Sequence, residues 1–173
     1  MTLASPQMVE PIEMTSSPAL PGLAGLYERH SEAVFRAALR VTGSPADAED
    51  VLQTVFLRVL SQGDQDGAAG RPAAYFRRAA VNAAVDLLRR RVVHAETAYD
   101  DGAHAAIEPA MLLKEQLRRA VATLDSEDAT LFLLRYVEGL SNQELADLFG
   151  LEKNNVAVRL HRIRLRLQAE MER

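Results

Sequence analysis

The stretch SNQELADLFGLEKNNVAVRLHRIRLRLQ, residues 141–168, decides how this chain folds. Ser141, with Glu144 at the third helical position, is a capping-box signal, so a helix opens there. Gly150 permits a tight turn, and a final helix starts near Lys153. Two short helices around a glycine-containing turn make the helix-turn-helix pattern. In the second of them Val156, Leu160, Ile163 and Leu167 recur at the spacing of one buried stripe. That leaves Asn155, Arg159, Arg162 and Arg166 on an outer face.

Helical signals continue upstream. Leu113, Leu117, Val121 and Leu124 mark one helix, and LDSEDATLFLLRYVEG (residues 124–139) gives the next, capped by Asp125 or Ser126 and stopped near Gly139. Farther back, Leu26, Ala33, Val34, Ala37, Ala38 and Val41 form the apolar stripe of a helix from Leu23 to Val41. TGSPADAED follows: Ser44 caps, Pro45 sits where a missing N–H costs nothing, and Asp47 and Glu49 suit a positive helix start. The helix it opens runs to about Leu60, with Ala48, Leu52, Val55, Phe56 and Val59 inward. A glycine-rich loop, SQGDQDGAAGRP, separates it from a third helix over roughly Pro72 to Arg91. No alternating pattern of useful length predicts a strand.

Residues 92–110 change character. HAETAYDDGAHAAIEP has clustered acid, no sustained periodicity and a closing proline, which predicts a flexible acidic linker. The leader, residues 1–22, carries Pro6, Pro11, Pro18 and Pro21 with little charge, which predicts a disordered tail. The expected fold is therefore all-α, with small helical bundles at 23–91 and 111–173.

Composition narrows the function. The chain has no cysteine, so disulfides and thiolate chemistry are excluded. Its apolar runs fall far short of the roughly 20 residues of a membrane span, and the leader lacks the basic and apolar parts of a secretory signal. A cytoplasmic protein with no membrane insertion is expected. His30, His94, His104 and His161 have no ligand spacing, no nucleophile–base arrangement is visible, and the glycine-rich loop lacks a phosphate-loop lysine. Neither catalysis, nor a small-molecule substrate, nor a metal or other cofactor is expected.

The formal net charge is −4, yet the cations are focused. Arg71, Arg77, Arg78, Arg89, Arg90 and Arg91 face a single acid, Asp86, within residues 71–94. Lys153, Arg159, Arg162, Arg164, Arg166 and Arg173 dominate residues 152–173. An acidic connector separates the two basic elements, and such focused surfaces suit a polyanion whose condensed counterions they release. In a helix-turn-helix protein the start of the second helix enters the major groove. Lys153, Asn154, Asn155 and Val158 would then meet base edges, with Arg159, Arg162 and Arg166 holding phosphates.

Three blocks carry a resemblance: LYERHSEAVFRAALRVTGSPADAEDVLQTVFLRVL, YFRRAAVNAAVDLLRRR and LLRYVEGLSNQELADLFGLEKNNVAVRLHRIRLRL. In order and spacing the chain resembles the second and fourth regions of bacterial sigma factors of the extracytoplasmic-function group, over residues 23–91 and 111–168. The resemblance implies a promoter-specificity subunit whose partners are core RNA polymerase, promoter DNA and, in regulated members, an anti-sigma factor. It implies that Asp47, Asp50, Gln53 and Thr54 dock on the polymerase clamp helices, although Asp47 and Asp50 also suit a plain helix start. It implies that the loop from Ser61 to Arg71, with Tyr75, Arg77, Arg78, Asn82, Arg89 and Arg90, engages the melted minus-ten element; stacking and cationic tracking are the chemistry a single strand needs. The last helix would read the minus-thirty-five element as duplex. Where many members read SVGTVKSRLHRAR, this chain has EKNNVAVRLHRIR, so its base contacts are its own, and Leu60 replaces a usual tryptophan. The rival expectation is a helix-turn-helix regulator, or degenerate sigma-like protein, that binds DNA or a regulatory partner without the polymerase.

Overall fold

The computed structural model describes residues 22–61, 73–97 and 109–172. They form helices α1 (Leu23–Thr42), α2 (Pro45–Ser61), α3 (Ala73–Thr97), α4 (Pro109–Thr123), α5 (Ser126–Tyr136), α6 (Asn142–Phe149) and α7 (Lys153–Met171). The all-α expectation holds, with two helical bundles. The leader, the loop after Ser61 and the middle of the acidic connector lie outside the described residues.

Local signals set most boundaries. Gly43 ends α1 at φ 72°, a left-handed conformation, where its N–H donates to the Leu39 carbonyl at 2.8 Å. The Ser44 hydroxyl accepts from the Asp47 N–H at 3.4 Å, and Pro45 occupies the first position of α2. Of the two caps open at α5, Asp125 is used: its carboxylate accepts from the Asp128 N–H at 2.9 Å. Both halves of the Ser141–Glu144 capping box form. α3 departs from expectation by continuing past Arg91 to Thr97, because nothing in RVVHAET breaks a helix even though it lacks an apolar stripe.

The first bundle packs α1, α2 and α3 around Leu26, Val34, Val51, Phe56, Phe76 and Val81. Phe76 is fully buried, 4.0 Å from a stacked His30 ring, and its burial is worth about 2–3 kcal/mol. The second bundle closes α4–α7 around Val121, Leu131, Leu134, Leu145, Val156 and Ile163. The predicted inner stripe of α7 is buried at all four positions. Leu113 departs from its predicted inward place: it is exposed with Met111 and Leu112 at the start of α4, before that helix reaches its neighbours. α3 is central, packing on α1 and α2 with one side and on α4 and α5 with the other. The two apolar cores therefore run together into one buried cluster.

Candidate nucleic-acid interfaces

α7 is presented by α6 and the turn after it. Gly150, at φ 65°, closes α6, and the Leu151 N–H returns to the Ala146 carbonyl at 2.9 Å. The N-terminal end of α7 receives no side-chain cap from Glu152. Its free N–H groups, with exposed Lys153, Asn154 and Asn155 around them, suit an approaching phosphate or base edge. Val158 is exposed on the same helix and offers a methyl-sized apolar contact.

The arginines of α7 do not share one fate. Arg162 is exposed, and no described carboxylate pairs with it. Arg159 is only 29% exposed and lies among acids of the α5 start: its Nη2 is 2.7 Å from Glu127, and its Nε donates to Asp128 Oδ1 at 2.5 Å. Arg166 reaches the other Asp128 oxygen at 3.4 Å. The sequence places Arg159 and Arg166 on the outer face; Arg166 stands there, 58% exposed, whereas Arg159 is drawn against the α5 N-terminus, whose acids meet it.

Charge in this cluster is finely set. Burial, helped by the neighbouring Asp125 carboxyl, pushes Asp128 above the usual carboxylate range, while Arg159 opposes the shift. Burial also acts upward on Asp125, but hydrogen bonds from Asp128 and the charge of Arg159 outweigh it and hold that carboxyl low. Arg159 is partly desolvated, yet its bonds to Asp128 and Glu127 keep it more firmly protonated than usual. The arginine thus fastens α7 to α5 and fixes the orientation of the exposed α7 start.

In the first bundle, α2 and α3 form two concavities. One of about 400 Å³ is lined by Arg58, Tyr75, Arg78 and Asn82 over a floor of Val55 and Val59. It combines an aromatic edge, two guanidiniums and an amide, the chemistry that holds an extruded base. Phe76, beside Tyr75, is core and meets it edge-on at 5.5 Å. Arg77 is half-buried and adds to the positive potential near Glu144 of α6. The Ser61–Arg71 loop lies outside the described residues.

The second concavity, about 280 Å³, lies on the opposite edge and includes Asp50, Gln53, Thr54, Leu57, Leu87 and Arg90. Three of the four expected docking residues gather here. Asp47 does not: it is 5% exposed and pairs with Arg91, so its carboxylate is withdrawn from the surface. The reason is its position at the α2 start, directly beneath the end of α3. Leu57, 61% exposed in this groove, was missed by the sequence reading. Its signal was an apolar residue standing outside the α2 stripe. Arg58, which also bonds Asp86 weakly at 3.8 Å, was missed for want of any pattern.

Other minus-ten candidates face the second bundle. Arg78 donates to the Leu148 carbonyl at 2.6 Å, and its guanidinium lies 4.1 Å from the centre of the Phe149 ring. Arg89 donates to the carbonyls of Ala122, at 3.3 Å, and Leu124. The Asn82 oxygen accepts from the Thr130 hydroxyl. Arg90 stays exposed beside the Asp50–Leu57 groove, away from these three.

Comparison with known proteins finds relatives along most of the chain. Residues 26–92 match the model for sigma-70 region 2, and residues 114–167 match that for sigma-70 region 4. The chain is 31% identical over 148 residues to the ECF RNA polymerase sigma factor SigL of Mycobacterium tuberculosis, covering 79% of this chain and 81% of that protein. It is 30% identical over 159 residues to the ECF RNA polymerase sigma factor SigE of Mycolicibacterium smegmatis, covering 87% of this chain but 62% of that longer relative. The solved structure of the sigma factor RpoE in complex with the anti-sigma factor NepR from Bartonella quintana matches with a TM-score of 0.48 and 16% identity, over 84% of this chain and 94% of that one. With both sigma regions matched in order and a relative of this similarity along most of its length, the chain belongs to the extracytoplasmic-function group of the sigma-70 family.

Proposed function

We propose that this chain is a sigma subunit: it binds core RNA polymerase, carries it to promoters and directs initiation there, while the polymerase performs the chemistry. The supporting observation is the division of labour between α3 and α7, two arginine-bearing helices on separate bundles, within a chain of this family. The bundle of 23–91 would engage the minus-ten element as a melted strand, through Tyr75, Arg77, Arg78, Asn82 and Arg89, with Arg90 at the margin. The 400 Å³ hollow between α2 and α3 would receive an extruded base. The bundle of 111–173 would read the minus-thirty-five duplex, with Lys153, Asn154, Asn155 and Val158 at base edges and Arg162 on phosphate. Asp50, Gln53 and Thr54, joined by Leu57, form the proposed polymerase-docking groove. An anti-sigma factor is a further partner of the kind the family implies. The described helices include none long and apolar enough to cross a membrane, and work on cellular promoters would place the chain in the cytoplasm.

Association with core polymerase tests this directly. The purified chain is expected to co-elute with core enzyme, and Leu57→Glu combined with Asp50→Arg is expected to abolish co-elution while leaving duplex binding by α7 intact. Duplex binding with no core association, in the chain free of any inhibitor, would instead support a DNA-binding regulator.

A further inference from the structure

We propose that the leader of this chain, through residues 8–14, docks in an apolar groove of the second bundle. This docking is a property of the chain by itself and stands whether or not the chain serves a polymerase.

The groove lies between α4, α5 and α7 and measures about 470 Å³. Its walls are Leu117, Phe132, Tyr136, Leu167 and Met171, with the Phe132 and Tyr136 rings packed 4.8 Å apart. Tyr136 is 49% exposed there. One turn before Leu117, on the same face of α4, Leu113 is 55% exposed and carries the apolar surface onward. The stripe through Leu113 and Leu117 thus prepares a buried face that the neighbouring helices cover only in part. Continuous apolar surface of this kind marks a docking site. Arg164 stands at one edge of the groove, and exposed Lys114 lies one turn from Leu117. The acid at that edge, Glu172, already accepts from the Gln168 amide at 3.0 Å.

The segment MVEPIEM, residues 8–14, fits this surface in chemistry and in length. Residues 1–21 contain no lysine, arginine or histidine, and their only charged side chains are Glu10 and Glu13. Pro6, Pro11, Pro18 and Pro21 favour the polyproline form, which has three residues per turn. In that form Glu10 and Glu13 share one edge, Val9 and Ile12 a second, and Met8, Pro11 and Met14 the third. The two apolar edges enter the groove, while the acidic edge faces Arg164 and Lys114. Methionine adapts to an irregular apolar wall, and a proline-stiffened segment loses less entropy on docking. Reach is sufficient. α1 has 20 residues and is about 30 Å long. Its last turn meets the chain neighbours of two wall residues: Arg40 pairs with Glu138 at 2.9 Å, and Arg118 donates to the Val41 carbonyl at 3.0 Å. From Met8 to Gly22 the polyproline form extends to about 43 Å, enough to run back along α1 and over the rim.

The absence of native cysteine allows a direct test in the full chain. Ser16→Cys paired with Gln168→Cys, in the groove lining, is compared with Ser16→Cys paired with Gln143→Cys on α6, outside it. Under mild oxidation the first disulfide is expected to form within one molecule at least about tenfold faster than the second, an excess that docking gives over a free tether. Val9→Asp with Ile12→Asp is expected to erase that excess, and Arg164→Glu to reduce it. Both aspartates fall outside the described helices, so their effect is on docking and not on the bundle cores. A fluorescent peptide of residues 7–15 is expected to bind the chain carrying Val9→Asp and Ile12→Asp and to be excluded from the unaltered one. Equal rates for the two pairs, or an excess that survives the aspartates, would overturn the docking. Disulfides formed chiefly between molecules would overturn it as well and assign the groove to a second copy of the chain.

Discussion

α3 and α7 are both arginine-bearing helices set on bundles of similar size, yet their cations are spent differently. On α7, Arg159 is tied by carboxylates of α5, within the bundle that folds around it. On α3, Arg78 and Arg89 are tied by backbone carbonyls of the other bundle. The first attachment is part of a fold and cannot be released without damage; the second can be released by moving a whole bundle. Arginine content alone does not distinguish a structural cation from a reserved one. The identity of the acceptor does.

The largest test of that contrast is Asp128→Ala. Removing a mostly buried carboxylate leaves Arg159 with only the more exposed Glu127 and a longer contact to Asp125, so stability is expected to fall by about 2–3 kcal/mol, below the 3–5 of a fully buried pair because Arg159 keeps some water. Denaturant unfolding measures it. A loss under about 0.5 kcal/mol, the size of an ordinary surface change, would make the α5–α7 tie incidental. Arg89→Ala is expected to cost less stability than this and to loosen only the contact between bundles.

Next in size is Asn155→Ala, which is expected to cost about 1–3 kcal/mol at one base pair of the minus-thirty-five duplex and little elsewhere. Binding to a panel of single-base variants measures it, and uniform loss across the panel would deny Asn155 a base contact. Arg162→Ala is expected to weaken duplex binding evenly and to flatten the log–log salt slope by roughly 1, whereas Arg159→Ala should act mainly through stability. Equal salt slopes for the two variants would erase the distinction between free and tied arginines on α7.

The smallest effect concerns pH. Hydrogen bonds from the Ser141 backbone and side chain hold the Glu144 carboxyl below its usual range. A lowered folded-state value means that this cap contributes fully at neutral pH, above the unfolded value, and is lost as pH falls through the lowered one. Glu144→Gln should therefore flatten the acid limb of thermal stability slightly while changing little near neutrality. An unaltered acid limb would show that the box does not titrate with folding.

Much of this architecture was legible because the helix stripes and caps are local. The α7 stripe, the capping box and the turn at Gly150 depend on neighbours within a few residues, and they appear where the sequence set them. Asp128 was hidden because an acid in a helix's first turn is explained well enough by the dipole, and only the fold brings Arg159 to it. Asp47 misled for the same reason. The packing of one bundle on the other did leave a trace. Phe76, Ala80, Val81, Ala83, Ala84, Val85 and Leu88 surround α3 with apolar side chains, and a helix apolar on most sides is buried on more than one. Which element would cover the second side was not readable, since Leu148, Phe149 and Thr130 have ordinary places within their own helices.

Mapping of transcript start sites made by core polymerase with this chain, on a library of random upstream DNA, tests the central claim most directly. Two cationic helices on separate bundles predict discrete starts, each preceded by two short conserved blocks, with Asn155→Ala altering only the upstream block and Asn82→Ala only the downstream one. Starts no different from those of core enzyme alone, or a single conserved block changed alike by both substitutions, would contradict it.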